Sequence, residues 1–121
     1  MPKTVAPMIH VPNVRATVEW YQGIGFEVRA TGEDDGEMTW AALRFGSGEF
    51  MLDVGGKPSS AERREVDLYV TTDAVDDLHQ RLKDRVEVVE GLHDTFYGMR
   101  EFIIRDVNRF WITFGQEVET T

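Results

Sequence analysis

The segment FIIRDVNRFWITFG, Phe102–Gly115, is typical of a β-hairpin, because two apolar runs rich in aromatic and β-branched residues flank a short polar turn. A weaker copy, LRFGSGEFMLDVG at Leu43–Gly55, lies 60 positions earlier in the chain. At this offset four pairs of residues coincide: Phe50 with Phe110, Met51 with Trp111, Leu52 with Ile112 and Val54 with Phe114. The sequence therefore predicts one structural unit that is used twice.

The elements before each hairpin repeat as well. Alternation over Val5–Val11 predicts a strand, and Asn13 is the predicted N-cap of a helix that extends to about Gln22. The segment VDLYVTT predicts the matching strand of the second copy, with Asp73 as the N-cap of its helix. The predicted buried helix stripes are Val14, Thr17, Val18 and Tyr21, then Val75, Leu78 and Leu82. The other predicted elements are a strand from Phe26, a hairpin tip at Gly32–Glu37, strands over MTWAALRF and EFMLDV, a strand at Arg85–Glu90 and an aromatic loop at Gly91–Gly98.

These elements predict a single α+β domain over residues 1–121. Module one covers residues 5–54, a connector of linker composition covers 55–64, and module two covers 65–116. Each module has the order βαβββ and leaves one sheet face without a helix. We expect the two modules to form a half-open, cup-shaped β-barrel with the helices outside, or to pair those faces with another chain.

Composition limits the classes of partner and compartment. The chain carries 22 acidic and 13 basic residues, a net charge of −9, which favours cations and disfavours nucleic acid and anionic membranes. It has no cysteine, so disulfides, thiolate nucleophiles and Cys-ligated zinc are excluded, and a reducing cytoplasm is the expected location. No apolar run is long enough for a signal peptide or a membrane span.

Two motifs carry a resemblance to a known family. They are VPNVRATVEWYQGIGFEV at Val11–Val28 and YGMREFIIRDVNRFWITFGQ at Tyr97–Gln116. In order and spacing they resemble the vicinal oxygen chelate superfamily of glyoxalases, extradiol dioxygenases, and fosfomycin- and bleomycin-resistance proteins, and most closely its metal-free bleomycin-resistance-like members. Where that family usually has Asp-Pro-x-Gly, this chain has Asp-Val-Asn-Arg, and we expect Asn108 to tolerate the left-handed conformation of the turn.

The resemblance implies a divalent cation held by side chains from the first and fourth strands of each module. Those positions fall on Ala6, Met51, Asp67 and Thr113. Only Asp67 suits a hard cation, and one carboxylate does not replace three protein ligands. The histidines, His10, His79 and His93, lack metal-binding spacing, with His79 expected at a helix boundary and His93 in a loop. We therefore expect no metal and no cofactor.

The leading functional hypothesis is a protein that binds and sequesters a small molecule, as bleomycin-resistance proteins do. An aromatic-lined, metal-free pocket suits a cationic or flat aromatic ligand. Strand parity selects the ligand-binding candidates Met8, His10, Met51, Asp67, Tyr69, Trp111 and Thr113. Trp40, on the third strand, is added to these candidates as a second tryptophan that could stack on a ligand, although parity does not fix its face.

Other hypotheses remain open. One is a metal-dependent glyoxalase-like lyase, isomerase or dioxygenase in which Asp67 ligates with unidentified partners, and another is a metal-free enzyme. Arg100 and Glu101 are expected to point to opposite faces and to serve structural pairing rather than catalysis. The resemblance also implies a homodimer.

Overall fold

The computed structural model describes residues 1–118 and has two compact units that divide between Ser59 and Ser60, inside the predicted connector. The first unit contains β1 (Met8–His10), α1 (Val14–Gly23), β2 (Glu27–Asp34), β3 (Glu37–Phe45) and β4 (Gly48–Asp53). The second contains β5 (Asp67–Thr71), α2 (Val75–Leu82), β6 (Glu87–Asp94), β7 (Met99–Arg105) and β8 (Trp111–Glu117). The α+β class and the repeated βαβββ order are therefore confirmed.

The first unit is an open sheet of order β1-β4-β3-β2 with α1 on one face. Strand β1 runs parallel to β4, and the other pairs are antiparallel. Asn13 caps α1 as predicted, because its Oδ1 accepts from the backbone N–H of Ala16 at 2.9 Å. The predicted stripe of α1 is buried, and Tyr21 packs edge-on against Phe50 of β4 at 5.2 Å between ring centroids.

The second unit repeats this arrangement with the order β5-β8-β7-β6, and β5 runs parallel to β8. The predicted stripe of α2 is buried. The helix covers the face that presents Phe102 and Phe114, whose rings stack at 5.0 Å. His79 lies at the edge of this interface with its ring against Phe102, as expected for a boundary residue. Like the first sheet, this one is open at both edges and does not close into a barrel by itself.

No helix within residues 1–118 is long and apolar enough to cross a membrane.

The predicted N-cap of α2 is wrong. The capping position is Ala74, one residue beyond Asp73, and it makes no side-chain cap bond. The N–H of Val75 donates instead to Oε1 of Gln116 on β8, at 3.0 Å. A side chain 41 residues away therefore satisfies an N–H that a local residue was predicted to satisfy.

Two strand boundaries also differ from the prediction. Strand β6 starts at Glu87 and continues to Asp94, so His93 lies in a strand and the loop begins only at Thr95. Gly91 does not end the strand, because irregular pairing on both sides of Glu90 accommodates the extra residues. At the N-terminus, the strand covers Met8–His10 and not the predicted Val5–Val11, with Pro7 and Val11 still bonded to β4 through their backbone.

The turn before β8 places its left-handed residue at Arg109, with φ of 72°, and not at Asn108. Its geometry is fixed by the buried Asp106, whose Oδ1 accepts from the N–H groups of Asn108 and Phe110, both at 2.8 Å. A left-handed non-glycine residue costs about 1–2 kcal/mol, and two bonds to a carboxylate offset that strain. The family turn thus survives without its glycine.

Replacement of Gln116 tests the long-range cap. Gln116→Leu should lower the free energy of unfolding by about 1 kcal/mol, because it leaves the first N–H of α2 without an acceptor. Urea denaturation followed by circular dichroism measures the change. The control Gln116→Glu keeps an oxygen acceptor and should stay near wild type, and equal losses in both variants would argue against capping.

Candidate functional site

The helix-free face of the first sheet carries all four candidate residues of that unit. The register aligns His10 with Asp53 and then Trp40 in one row across three strands. The next row aligns Met8 with Met51. Because paired residues share a face, Met8, His10, Trp40 and Met51 are brought to one side of the sheet.

The helix-free face of the second sheet carries the other four candidates. Asp67 pairs with Trp111 in one row, and Tyr69 pairs with Thr113 in the next. The third row contains Thr71, Gly115, Glu101 and His93. Sequence reasoning selected no ligand-binding residue from this third row.

A buried carboxylate is the chemical centre of this face. Glu101 on β7 is 3% exposed. Its Oε2 accepts from the hydroxyl of Tyr69 at 2.6 Å, and its Oε1 accepts from the hydroxyl of Tyr97 at 2.7 Å. In the described part of the chain no cationic side chain pairs with it. We refer to Tyr69, Tyr97 and Glu101 as the tyrosine–carboxylate cluster.

The cluster depends on a glycine in β8. Gly115 lies directly opposite Glu101, and a Cβ atom there would stand 2.4 Å from the hydroxyl of Tyr69. The Tyr69 side chain therefore crosses the space above Gly115 to reach the carboxylate. Space, rather than a left-handed backbone, is what requires glycine at this position.

The pKa of both tyrosines is raised above its ordinary value. For Tyr69 the largest cause is burial of the phenol, followed by its hydrogen bond to Glu101. For Tyr97 the largest cause of the raised pKa is the hydrogen bond to Glu101. A pKa that is higher in the folded than in the unfolded state adds to the stability of the fold. This contribution is complete at pH values below the ordinary tyrosine pKa near 10, and it is lost as the pH rises through the raised pKa of the folded state. Both phenols therefore stay protonated donors at neutral pH.

The rings of the cluster remain accessible to a ligand. Tyr69 is 51% exposed and Tyr97 is 55% exposed, so each presents much of its surface to solvent although its hydroxyl is engaged. An open groove of about 550 Å³ adjoins the cluster at Gly115. Its lining consists of Thr71, Thr72, Asp73, Met99, Gly115 and Glu117. Acidic, hydroxyl and thioether groups thus line the groove beside the cluster.

Asp67 and Trp111, both predicted to bind ligand, are engaged by the connector. Arg63 donates to Oδ2 of Asp67 at 2.5 Å, and its guanidinium carbon lies 4.3 Å from the centre of the Trp111 ring. The indole N–H of Trp111 donates to the carbonyl of Glu62 at 3.2 Å. This part of the face already holds a cation that belongs to the chain.

The residues present do not fit the divalent cation implied by the resemblance. Of the four corresponding positions, Ala6 and Met51 offer no hard donor, and the carboxylate of Asp67 is held by Arg63. Within residues 1–118, no three His, Asp or Glu side chains gather closely enough to hold a metal.

Sequence reasoning did not select Glu101, Tyr97 or Gly115 as ligand-binding residues, and it assigned Glu101 a role in structural pairing. One usable signal was Glu101 itself, an acidic residue next to the apolar run Phe102–Ile104. Its neighbour Arg100 faces the other side of the sheet, where it donates hydrogen bonds to Asp76 at 2.8 Å and to Asp94 at 3.1 Å. Arg100 and Glu101 therefore point to opposite faces, as expected. Tyr97 and Gly115 meet Glu101 only in the folded chain.

Ionisation of the tyrosines tests the cluster. Glu101→Gln should move the pKa of Tyr69 and of Tyr97 down toward the ordinary value, because it removes the negative charge that opposes phenolate formation. Absorbance near 295 nm or the NMR signals of the ring carbons follow each titration. Gly115→Ala should shift the pKa of Tyr69 and leave the pKa of Tyr97 unchanged, since only the Tyr69 side chain crosses the space above the glycine. The control is Asp77→Asn, which removes an exposed charge on α2 and should leave both tyrosine pKa values unchanged. Tyrosine pKa values that do not change in Glu101→Gln would refute the cluster.

Comparison with known proteins places this fold in a family. The Glyoxalase/Bleomycin resistance protein/Dioxygenase superfamily matches residues 4–114. The solved structure of TioX from Micromonospora sp. ML1 is 19% identical over 98% of this chain and 99% of its own, with a TM-score of 0.76. A protein of unknown function from Agrobacterium tumefaciens str. C58 is 23% identical over 98% and 96%, with a TM-score of 0.73. A glyoxalase-related enzyme from Clostridium phytofermentans is 18% identical over 98% and 97%, with a TM-score of 0.75.

No curated protein matches the sequence. The structural similarities lie below 25% identity and therefore establish the fold alone. The family match extends over nearly the whole chain, in agreement with the two motifs and the repeated βαβββ units. The chain belongs to the Glyoxalase/Bleomycin resistance protein/Dioxygenase superfamily, also known as the vicinal oxygen chelate superfamily.

Proposed function

We propose that this protein binds and sequesters a small organic cation without a resident metal, in the manner of a bleomycin-resistance-like protein. The observation that carries the proposal is a buried carboxylate, Glu101, held by two tyrosines whose rings are half exposed. A flat cation satisfies both parts of such a site, because the rings attract its positive face and the carboxylate accepts its N–H groups.

The carboxylate keeps capacity for a ligand. An ionised carboxylate offers about four acceptor positions, and the two phenols use one on each oxygen. Hydrogen bonds to a charged group contribute about 1.5–3 kcal/mol each, and a cation–π contact on a solvent-exposed ring contributes about 0.5–1 kcal/mol. These terms are large enough to decide between a cation and a neutral molecule of the same shape.

The surrounding charge supports the same choice. Two further acidic residues, Asp73 and Glu117, line the adjoining groove, and the whole chain carries a net charge of −9. An anionic ligand would be repelled from this face, whereas a cation is attracted to it before contact.

The proposal includes three wider expectations. The resemblance implies that the helix-free faces line one half-open, barrel-like cup, so that Met8, His10, Trp40 and Met51 also contact the ligand. It implies a homodimer, which the exposed edge strand β1 and the 46% exposed Met8 support. A cytoplasmic location is supported by the absence of cysteine from the sequence.

A matched pair of probes tests the ligand class. Benzamidinium is a flat cation, and benzamide is nearly its neutral equivalent in shape. Benzamidinium should bind more tightly and should shift the NMR signals of the Tyr69 and Tyr97 rings. Glu101→Gln should weaken its binding at least about tenfold, which corresponds to ~1.4 kcal/mol, because it removes the charge that the cation faces.

Two variants separate charge from shape. Tyr97→Phe keeps the ring and the carboxylate, so it should affect binding less than Glu101→Gln, whereas Asp77→Asn on α2 should leave binding unchanged. Equal affinity for benzamidinium and benzamide, or equal binding by wild type and Glu101→Gln, would overturn the proposed site.

Sedimentation velocity tests the proposed dimer. At micromolar concentration the protein should sediment with about twice the 13.8 kDa mass of one chain. A single species of chain mass across that range would remove the dimer from the proposal and leave the ligand site untouched.

A further inference from the structure

The connector ends in a segment that is attached to the second sheet through its backbone. The side chain of Arg109 donates to the carbonyl of Ala61 at 2.9 Å. Arg105 donates to the carbonyl of Glu62 at 2.8 Å, and the indole of Trp111 donates to the same carbonyl. The main chain at residues 61–62 is thus held beside β8 by bonds in which the Arg63 side chain takes no part.

Two consecutive arginines follow this anchor, and their settings differ. The side chain of Arg64 is 13% exposed, lies over the Phe110 ring and donates to the carbonyl of Asn108 at 2.9 Å. The side chain of Arg63 is 59% exposed. Among the described residues, it donates to Oδ2 of Asp67 and lies over the indole of Trp111. Arg64 is part of the packing, whereas Arg63 rests on the surface of the sheet.

We propose that Asp67 and Trp111 form a second organic-cation site, separate from the tyrosine–carboxylate cluster, and that Arg63 is its internal occupant. The site takes a guanidinium, amidinium or similar planar cation, which displaces the Arg63 side chain when it binds. Arg63 therefore sets the threshold concentration at which an external cation enters.

The geometry defines the chemistry of the ligand. The guanidinium of Arg63 both stacks on the indole, at 4.3 Å, and donates an N–H to the carboxylate, at 2.5 Å. A planar cation with N–H groups repeats both contacts, whereas a neutral ring repeats only the stacking. The guanidinium of Arg63 therefore has the chemistry that we expect of the external ligand.

Displacement is feasible because the exchanged contacts are those of an exposed ion pair. Such pairs add little net stability in water, since solvent screens the charges and the long side chain gains freedom on release. The backbone anchor at residues 61–62 remains in place when the side chain leaves. Entry of a cation therefore requires the movement of one side chain and no change in the sheet.

Removal of the internal occupant tests the proposal. Methylguanidinium is titrated into wild type and Arg63→Ala, and binding is read from the indole N–H signal of Trp111, assigned with Trp111→Phe. If Arg63 occupies the site about nine-tenths of the time, its removal should tighten binding about tenfold. Arg63→Gln, which keeps a polar side chain but no charge, should show a gain in the same direction.

The controls distinguish the loss of Arg63 from the site from the loss of one positive charge elsewhere on the protein. Arg81→Ala on α2 removes one positive charge at an exposed position and should leave the affinity at the wild-type value. Adding Asp67→Asn to Arg63→Ala should abolish the gain in affinity, whereas adding Glu101→Gln should preserve it. Failure of the site at the tyrosine–carboxylate cluster is therefore distinguishable from failure of the site at Asp67 and Trp111. Equal or weaker binding by Arg63→Ala, or no response at Trp111 in either protein, would overturn the proposal.

Discussion

One helix covers one face of each four-stranded sheet, and this constraint determines what the other face contains. In the second unit, Phe102 and Ile104 of β7 are buried on the side of α2, together with Phe114 of β8. Because strand side chains alternate, the residues between them must point away from the helix. The same alternation that builds the apolar core therefore brings Glu101 and Gly115 to the helix-free face.

Burial of Glu101 requires compensation, because a carboxylate removed from water loses its hydration. A cationic partner is the common solution, yet this chain uses two phenols, one on each oxygen. Phenols satisfy the oxygens without cancelling the negative charge, so the tyrosine–carboxylate cluster stays anionic. An arginine in the same place would neutralise the carboxylate, as Arg63 does for Asp67.

Local chemistry was predictable from the sequence, and long-range chemistry was not. The cap at Asn13 and the helix stripes depend on residues within one or two turns, and both were predicted correctly. The cap of α2 depends on Gln116, and the partner of Tyr69 is 32 residues away on β7, so neither is encoded in a local pattern. Strand parity placed Tyr69 on the correct face but did not show that a glycine beside it opens the path to Glu101.

The contact between Arg63 and Asp67 is an exception, because the two residues are only four apart. Strand parity selected Asp67 and Trp111 as ligand contacts. It did not select Arg63, because the composition of the connector predicted a linker that does not pack against the sheet. In the structure, the helix-free face of the second sheet joins an acid to an aromatic ring twice, at Glu101 with its tyrosines and at Asp67 with Trp111. A neutral flat ligand gains from the rings alone at either place, whereas a planar cation gains from both partners. Recurrence of the acid–aromatic pair on one face is therefore an argument for the proposal of a cationic ligand rather than a neutral aromatic one.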